Sequence, residues 1–143
     1  MSKFQKIESV GIVLLNAQNK VLVVFKKMTK VWEFPQGTRE ENEDLLETLK
    51  REVVEETNIK KFRLVKDFRK KTYYRFRRDK EIFDKTVTYF LGITDEEVKL
   101  SEEHEQYRWC SFEKANRLFK HENHKEVLKA VIRRLEQQLI FLD

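Results

Sequence analysis

Between Gly37 and Ile59 the chain reads GTREENEDLLETLKREVVEETNI, in which a polar segment leads into a run of leucine, valine and glutamate. Leu46, Leu49 and Val53 recur at the i, i+3 and i+7 spacing that is typical of one helix face. We therefore predict a helix over residues 43–57, with these three side chains forming the stripe that faces the core.

The same predicted helix carries three glutamates, Glu52, Glu55 and Glu56, on one face. At about 100° per residue they fall within an arc of roughly 100°, where like charges destabilise a bare helix. A divalent cation offsets that repulsion, and carboxylate oxygens suit Mg²⁺ or Mn²⁺. Arg51 lies four residues after Glu47 and four before Glu55, so we expect it to pair with both. By residue type alone, a solvated acidic face is the alternative.

The spacing of the charged residues favours the metal site over the solvated face. Gly37 is followed after five residues by Glu43, and after seven more by the run REVVEE at residues 51–56. This segment resembles the Nudix box, Gly-x5-Glu-x7-Arg-Glu-U-x-Glu-Glu-x-Gly-U with U a bulky aliphatic, and eight of its nine specified positions match. The exception is Asn58, where the box has glycine. Because this residue ends the helix, we predict a left-handed conformation, which asparagine tolerates.

The resemblance implies a hydrolase of nucleoside diphosphates linked to another moiety, with a catalytic loop, helix and loop on an α/β/α sandwich that has a mixed sheet. Carried over by position, Glu52, Glu55 and Glu56 would bind Mg²⁺, or alternatively Mn²⁺. Gly37 would offer its backbone carbonyl to the metal, and Arg51 would brace the helix. Glu56 is usually the most critical of these acids in the family, and the number of metal ions is left open.

A second resemblance lies outside the box. Residues 86–91 and 100–109 look like the corresponding parts of the asymmetrically cleaving diadenosine tetraphosphate hydrolases, which produce AMP and ATP. In that subfamily the acid six residues before the tryptophan, here Glu103, is placed to touch a metal or the attacking water. Glu105 is a rival for this role, and both could also be exposed loop acids.

The same resemblance supplies candidates for substrate binding. Lys85 matches a lysine near the phosphates, and Tyr89 matches a tyrosine that stacks on adenine. Core packing is an equal alternative for Tyr89, because it shares a strand face with other apolar residues. Tyr107 has the same two alternatives, stacking on a base or packing in the core. Gln36 in the loop before the helix and Tyr74 in a basic stretch complete the candidate set.

Two features keep other functions open. Residues 32–37, WEFPQG, resemble the loop of bacterial enzymes that remove pyrophosphate from RNA 5′ ends, whereas animal tetraphosphatases tend to carry Lys and His near this glycine. Residues 60–80 hold eleven lysines and arginines among aromatic residues, which suits nucleic acid, although an amphipathic ribbon has the same pattern. The alternatives are therefore an RNA 5′-pyrophosphohydrolase, a pyrophosphatase that cleans the nucleotide pool, or a catalytically silent RNA-binding module.

The remaining elements follow from apolar alternation and turn residues. Apolar runs predict strands at 9–15, 20–27, 86–93 and 107–110, a half-exposed ribbon of strands at 60–78, and helices at 111–119 and 123–139. Pro35 and Gly37 predict a loop over residues 31–37. Strands on both sides of a central helix, with a closing helix, indicate a mixed α/β sandwich.

Composition limits the class of protein. The chain of 143 residues has the size of one domain, which we predict to span residues 1–143, and its apolar runs are too short to cross a bilayer. The single cysteine, Cys110, cannot form an internal disulfide, so we expect a cytoplasmic protein. A net charge of +5 suits an anionic small molecule or nucleic acid as partner, and the oligomeric state is left open.

Overall fold

A computed structural model describes residues 3–99 and 104–142. The strands are β1 (Lys3–Leu15), β2 (Val21–Lys26), β3 (Val31–Glu33), β4 (Gln36–Thr38), β5 (Arg63–Leu64), β6 (Lys70–Arg78), β7 (Glu81–Ile93) and β8 (His104–Cys110). The helices are α1 (Leu45–Thr57), α2 (Phe112–Leu118) and α3 (Glu122–Leu142). No helix within the described ranges combines the length and the apolar character that a membrane span requires.

Two strands of 13 residues, β1 and β7, form the centre of the sheet. They run parallel, in register from the pair Lys3 and Glu81 to the pair Leu15 and Ile93. β7 also pairs antiparallel with β6 and β5, while β1 pairs antiparallel with β4 and β2. β2 in turn pairs antiparallel with β3 and β8, so the sheet is mixed.

Helices cover the two faces of this sheet because alternate residues of a strand point to opposite sides. On one face Val10, Ile12 and Leu14 of β1 share a core with Leu49 and Val53 of α1. On the other face the core joins further strand residues to α2 and α3; its members include Val13, Leu15, Ala115, Val127, Leu128 and Val131. The predicted α/β/α sandwich with a mixed sheet is therefore confirmed.

Three local predictions were wrong. Residues 31–37, predicted as a loop, hold β3 and the first two residues of β4, and the backbones of these strands pair with β2 and β1 respectively. α1 begins at Leu45 rather than Glu43, because Asp44 caps it by accepting a hydrogen bond from the backbone of the first turn. Leu46 is exposed, and Leu45 packs against the core in its place.

Other elements are confirmed with shifted ends. Ser111 caps α2 as its residue type predicts, and the apolar stripe of α3 is buried at Val127, Leu128 and Val131. The basic stretch forms strands only at β5 and β6, so the ribbon predicted over residues 60–78 is shorter than expected.

Candidate active site

The acid-rich helix α1 ends where the box spacing predicts. Asn58 has φ 59° and ψ 15°, so the predicted left-handed conformation is confirmed. Its backbone N–H donates to the carbonyl of Val54 at 2.9 Å, and its Nδ2 donates to the carbonyl of Lys99 at 2.7 Å. Glycine could not make this second bond, which adds to the backbone bond from the Lys99 N–H to the carbonyl of Thr57 at 2.8 Å in joining the helix end to the segment after β7.

Arg51 holds the acids of the segment in place. Its Nε and Nη2 donate to the two carboxylate oxygens of Glu43 at 2.7 and 2.9 Å, and its Nη1 donates to Glu52 at 2.8 Å and to Glu55 at 3.3 Å. These bonds lower the pKa of Glu43 to about 2 and raise that of Arg51. The pairing with Glu55 is as expected, but the partner across the segment is Glu43 rather than Glu47. A forked guanidinium fits this bidentate arrangement and fixes the carboxylate of Glu52.

The three glutamates predicted to share one face have different surroundings. Glu56 is buried, with 7% of its surface exposed, and its Oε2 accepts a hydrogen bond from the backbone N–H of Gln36 at 3.3 Å. Burial, and then the nearby charges of Glu52 and Glu33, raise the pKa of Glu56 to about 8. The Glu55 side chain is exposed. The inner part of the acidic face is therefore Glu52 with Glu56.

Gly37 lies against this pair of acids. It sits on β4 opposite Val10, and a Cβ built on it would overlap the carboxylate of Glu52. Its φ is not positive, so glycine is required here by the close approach of Glu52 and not by a turn conformation.

A cavity of about 490 Å³ opens beside the acids. Gln36 belongs to both places, because its backbone bonds to Glu56 while its side chain lines the cavity and donates to Glu33 at 3.3 Å. Basic, aromatic and polar side chains contribute to the remaining wall, among them Lys26, Arg78, Lys85, Tyr74, Phe76, His121 and the first residues of α3. This combination suits a ligand with an anionic part and an aromatic part.

Two of the predicted substrate-binding residues meet in this cavity. The Nζ of Lys85 lies 5.8 Å from the centre of the Tyr74 ring. Burial is the main cause that lowers the pKa of Lys85 and raises that of Tyr74. With Gln36, whose backbone N–H donates to Glu56, these side chains form a polar wall of the cavity.

Tyr89 and Tyr107, each predicted either to stack on a base or to pack in the core, lie in different places. Tyr89 is 1% exposed and packs edge-on against Phe34 with ring centres 5.7 Å apart, so the structure shows core packing. Its ring borders the cavity without an open face on which a base could stack. Tyr107, in β8, is 42% exposed and lies opposite Val24 of β2, but it does not belong to the cavity wall.

Two predicted acids cannot be placed. Glu103 lies outside the described residues, and for Glu105 only the backbone, within β8, is described. Their suggested role beside a metal or the attacking water stays a prediction.

Sequence reasoning missed two buried polar residues of the cavity wall. Glu33 is buried and its charge acts on Glu56, Tyr74 and Lys85. His124 packs between aromatic rings, and burial lowers its pKa to about 4. A carboxylate within WEFPQG was a visible signal for Glu33, whereas His124 had none, because its position at the cavity depends on how α3 docks.

The donor set fits a hard divalent cation by its chemistry. The carboxylates of Glu52 and Glu56 are close enough for one to raise the pKa of the other, and the Gly37 backbone lies against Glu52. Across residues 3–99 and 104–142, no three His, Cys, Asp or Glu side chains form a preassembled metal cage. Backbone or phosphate oxygens would have to complete the coordination.

Comparison with known proteins places this geometry in a family. The family model described as NUDIX domain matches residues 5–131. An asymmetrical bis(5′-nucleosyl)-tetraphosphatase of Rattus norvegicus is 36% identical over 103 residues, which are 68% of this chain and 67% of the relative. An RNA pyrophosphohydrolase of Pelagibacter ubique is 43% identical over 60 residues, 41% of this chain and 38% of the relative.

Solved structures agree on the fold. The C. elegans Ap4A hydrolase in a binary complex superposes with a TM-score of 0.81 at 24% identity, covering 92% of this chain and 98% of the other. A MutT protein from Methanosarcina mazei Go1 gives a TM-score of 0.69 at 24% identity, covering 93% and 96%. The box, the sandwich and the matched family model together show that the chain belongs to the NUDIX domain family and is a Nudix hydrolase.

Proposed function

We propose that this enzyme hydrolyses diadenosine tetraphosphate asymmetrically, giving AMP and ATP, with Mg²⁺ or Mn²⁺ as cofactor. The observation that carries the proposal is the position of Gln36. Its backbone bonds to Glu56 on the acid side, while its side chain lines the cavity that also holds Lys85 and Tyr74. A polyphosphate bound along this wall reaches from the basic residues to the acids.

The roles of the acids follow from their surroundings. Glu52, Glu55 and Glu56 would hold the cation together with the carbonyl of Gly37, and Glu103 is the further candidate. The chemistry that a divalent cation supplies in such a site is neutralisation of phosphate oxygens and activation of water. Arg51 acts as a positioning residue, because its bond at 2.8 Å holds the Glu52 carboxylate in place.

The reaction requires a base and a stabilised leaving group. The oxygen of water forms a bond to the terminal adenosine's phosphorus, the bridging P–O bond breaks, and ATP leaves as AMP forms. Glu56 is the proposed acceptor of a proton from the water, because its carboxylate is bonded to the backbone of Gln36 at the cavity wall. Lys85 would stabilise the negative charge that grows on the departing phosphate chain.

The adenosine end of the substrate needs an aromatic partner. Tyr74 lines the cavity and is 42% exposed as a residue, whereas Tyr89 contributes core packing. We therefore propose Tyr74 as the base platform of the cavity and keep Tyr107 as the candidate for the second adenosine.

The experiment that tests the proposal follows the products in ¹⁸O-labelled water, with Mg²⁺ and with EDTA. The expected result is AMP and ATP in equal amounts, with the label in AMP, and no products in EDTA. Glu56→Gln should lower turnover by about 10²–10⁴-fold, while the exposed control Glu126→Gln should not. ADP as main product would refute the asymmetric cut, and a Glu56→Gln enzyme of near wild-type activity would refute the role of Glu56.

A second candidate substrate is the triphosphorylated 5′ end of RNA. The similarity to the Pelagibacter ubique relative and the WEFPQG segment favour it. In a parallel assay with triphosphorylated RNA and 8-oxo-dGTP, rapid release of pyrophosphate from RNA without cleavage of diadenosine tetraphosphate would select this candidate. Preferred hydrolysis of 8-oxo-dGTP would instead select nucleotide-pool cleaning.

A further inference from the structure

In the half of the sheet farthest from α1, one face is largely exposed among the described residues. Along the paired strands β1, β7 and β6 the register aligns Glu8 with Thr86 and Tyr73, then Lys6 with Asp84 and Arg75, then Phe4 with Ile82 and Arg77. Lys71 lies opposite Thr88 at the end nearest α1. We call this surface, formed by the side chains of these positions, the outer face.

Aromatic rings are exposed on the outer face. Tyr73 is 68% exposed and Phe4 is 58% exposed, although large aromatic side chains usually lie in a core or an interface. The guanidinium of Arg75 lies 4.5 Å from the centre of the Phe4 ring. The neighbouring Tyr74 points the other way, into the cavity, because side chains alternate along β6.

Positive charge surrounds these rings. Arg75 pairs with Asp84 at 2.7 Å, and Arg39 pairs with Glu8 at 3.1 Å. Three further cations of the face, Lys6, Lys71 and Arg77, form no ion pair with any residue in the described parts of the chain. The outer face therefore presents a positive surface with exposed rings in its middle.

The outer face is continuous with the segment before α1. Arg39 follows β4 directly, and its Nη1 donates to the carbonyl of Glu43 at 2.8 Å while its Nε bonds to Glu8. A long anionic chain could therefore lie on the outer face and approach the acids of α1 by way of Arg39.

The geometry points to the outer face as a docking surface for single-stranded nucleic acid. Unstacked bases would lie on Tyr73 and Phe4, and the backbone phosphates would pair with Lys6, Lys71 and Arg77. The charge complementarity favours a polyanion, and the exposed rings favour one with unpaired bases over a duplex, whose bases are stacked internally. This binding goes beyond hydrolysis of a small nucleotide and uses none of the residues assigned to that reaction.

The test uses a labelled 12-nucleotide RNA with a 5′-hydroxyl end, which carries no 5′ phosphate to be hydrolysed. Fluorescence anisotropy gives its affinity for the full chain over a range of salt concentrations. Tyr73→Ala should weaken binding by about 5- to 100-fold, whereas Tyr73→Phe keeps the ring and should stay within about twofold of wild type. A duplex of the same sequence should bind more weakly than the single strand.

Two double variants that remove the same number of positive charges measure the phosphate contacts. The double variant Lys71→Gln/Arg77→Gln should lower the slope of log K against log salt by about 1.4, since each lost single-strand phosphate contact contributes about 0.7. The matched control, Lys129→Gln/Arg133→Gln on exposed positions of α3, removes the same charge and should leave the slope unchanged.

Several outcomes would overturn the inference. They are an equal loss in the two double variants, a Tyr73→Ala affinity close to wild type, and a duplex that binds as well as the single strand. Self-association that Tyr73→Ala abolishes, without RNA binding, would show instead that the outer face contacts a second copy. Hydrolysis of diadenosine tetraphosphate, measured on the same variants, should not change, so a failure of the proposed function is seen separately.

Discussion

Replacing Glu56 by Gln should stabilise the metal-free enzyme while it lowers turnover by about 10²–10⁴-fold. Glu56 is buried close to Glu52 and Glu33, so its ionised form is unfavourable in the folded chain when no cation is bound. Glutamine has nearly the same shape and keeps an oxygen that can accept the hydrogen bond from the Gln36 backbone. The variant therefore removes the buried ionisable group without opening a cavity.

The magnitude follows from the two pKa values of Glu56. In the unfolded chain the carboxyl has an ordinary pKa of 4.5, and in the folded chain the pKa is about 8. Because the folded pKa is raised, stability is lost as the pH rises from 4.5 and the loss is complete above 8. Linkage gives a cost of about 1 kcal/mol at pH 5 and about 3 kcal/mol at pH 7. Glu56→Gln should avoid this cost at both pH values.

Urea unfolding in EDTA at pH 5 and pH 7 measures the effect on wild type and variant. The free energy of unfolding of Glu56→Gln should exceed that of wild type, by about 2 kcal/mol more at pH 7 than at pH 5. Saturating Mg²⁺ should then raise the melting temperature of wild type more than that of the variant, because a ligand that binds the folded state stabilises it. A stability difference that does not change with pH would refute the raised pKa of the buried Glu56 carboxyl.

Three further predictions concern the helix end and the cavity. Asn58→Gly should change the free energy of unfolding by less than about 1 kcal/mol, because relief of the left-handed strain offsets the lost bond to Lys99. Asn58→Val should lower it by about 1–2 kcal/mol. A thermal melting temperature of the Val variant above that of the Gly variant would contradict the helix cap at this position. The pKa of His124 falls from 6.5 to about 4 on folding, so its neutral form contributes stability that is lost as pH falls below 6.5. Wild type should therefore lose about 2 kcal/mol between pH 7 and pH 5 that His124→Phe does not lose, and parallel pH profiles in urea unfolding would count against this. Lys85→Met should lower kcat/KM for diadenosine tetraphosphate by about 10- to 100-fold, while Lys129→Met on the exposed side of α3 should leave it unchanged. Equal effects of the two variants in steady-state kinetics would show that Lys85 does not bind the substrate.

Local sequence was sufficient for the helix and its end. The box spacing predicted α1 to within two residues, because the apolar period and the caps act over a few neighbouring positions. The left-handed Asn58 followed from the same local reasoning, as did the Ser111 cap of α2. The layered α/β/α arrangement could be predicted as well, since alternating strands flanked by amphipathic helices have few ways to bury their apolar faces.

Contacts between distant segments were decided only by the tertiary structure. Arg51 pairs with Glu43 rather than Glu47 because the segment before α1 folds back over the helix, which no i, i+4 rule describes. β3 and β4 exist because β2 and β1 pair with them, although Pro35 and Gly37 make the same residues look like a loop.

The electrostatic differences within the site also needed the fold. Helical spacing treats Glu52, Glu55 and Glu56 as equivalent, but burial against β4 raises the pKa of one while another stays exposed. Alternation along β6 likewise could not tell which of Tyr73 and Tyr74 enters the cavity, because that depends on which sheet face α2 and α3 cover. The sequence by itself determined which residues could carry the chemistry, and the tertiary structure decided which of them are desolvated, since desolvation depends on packing between segments far apart in the chain.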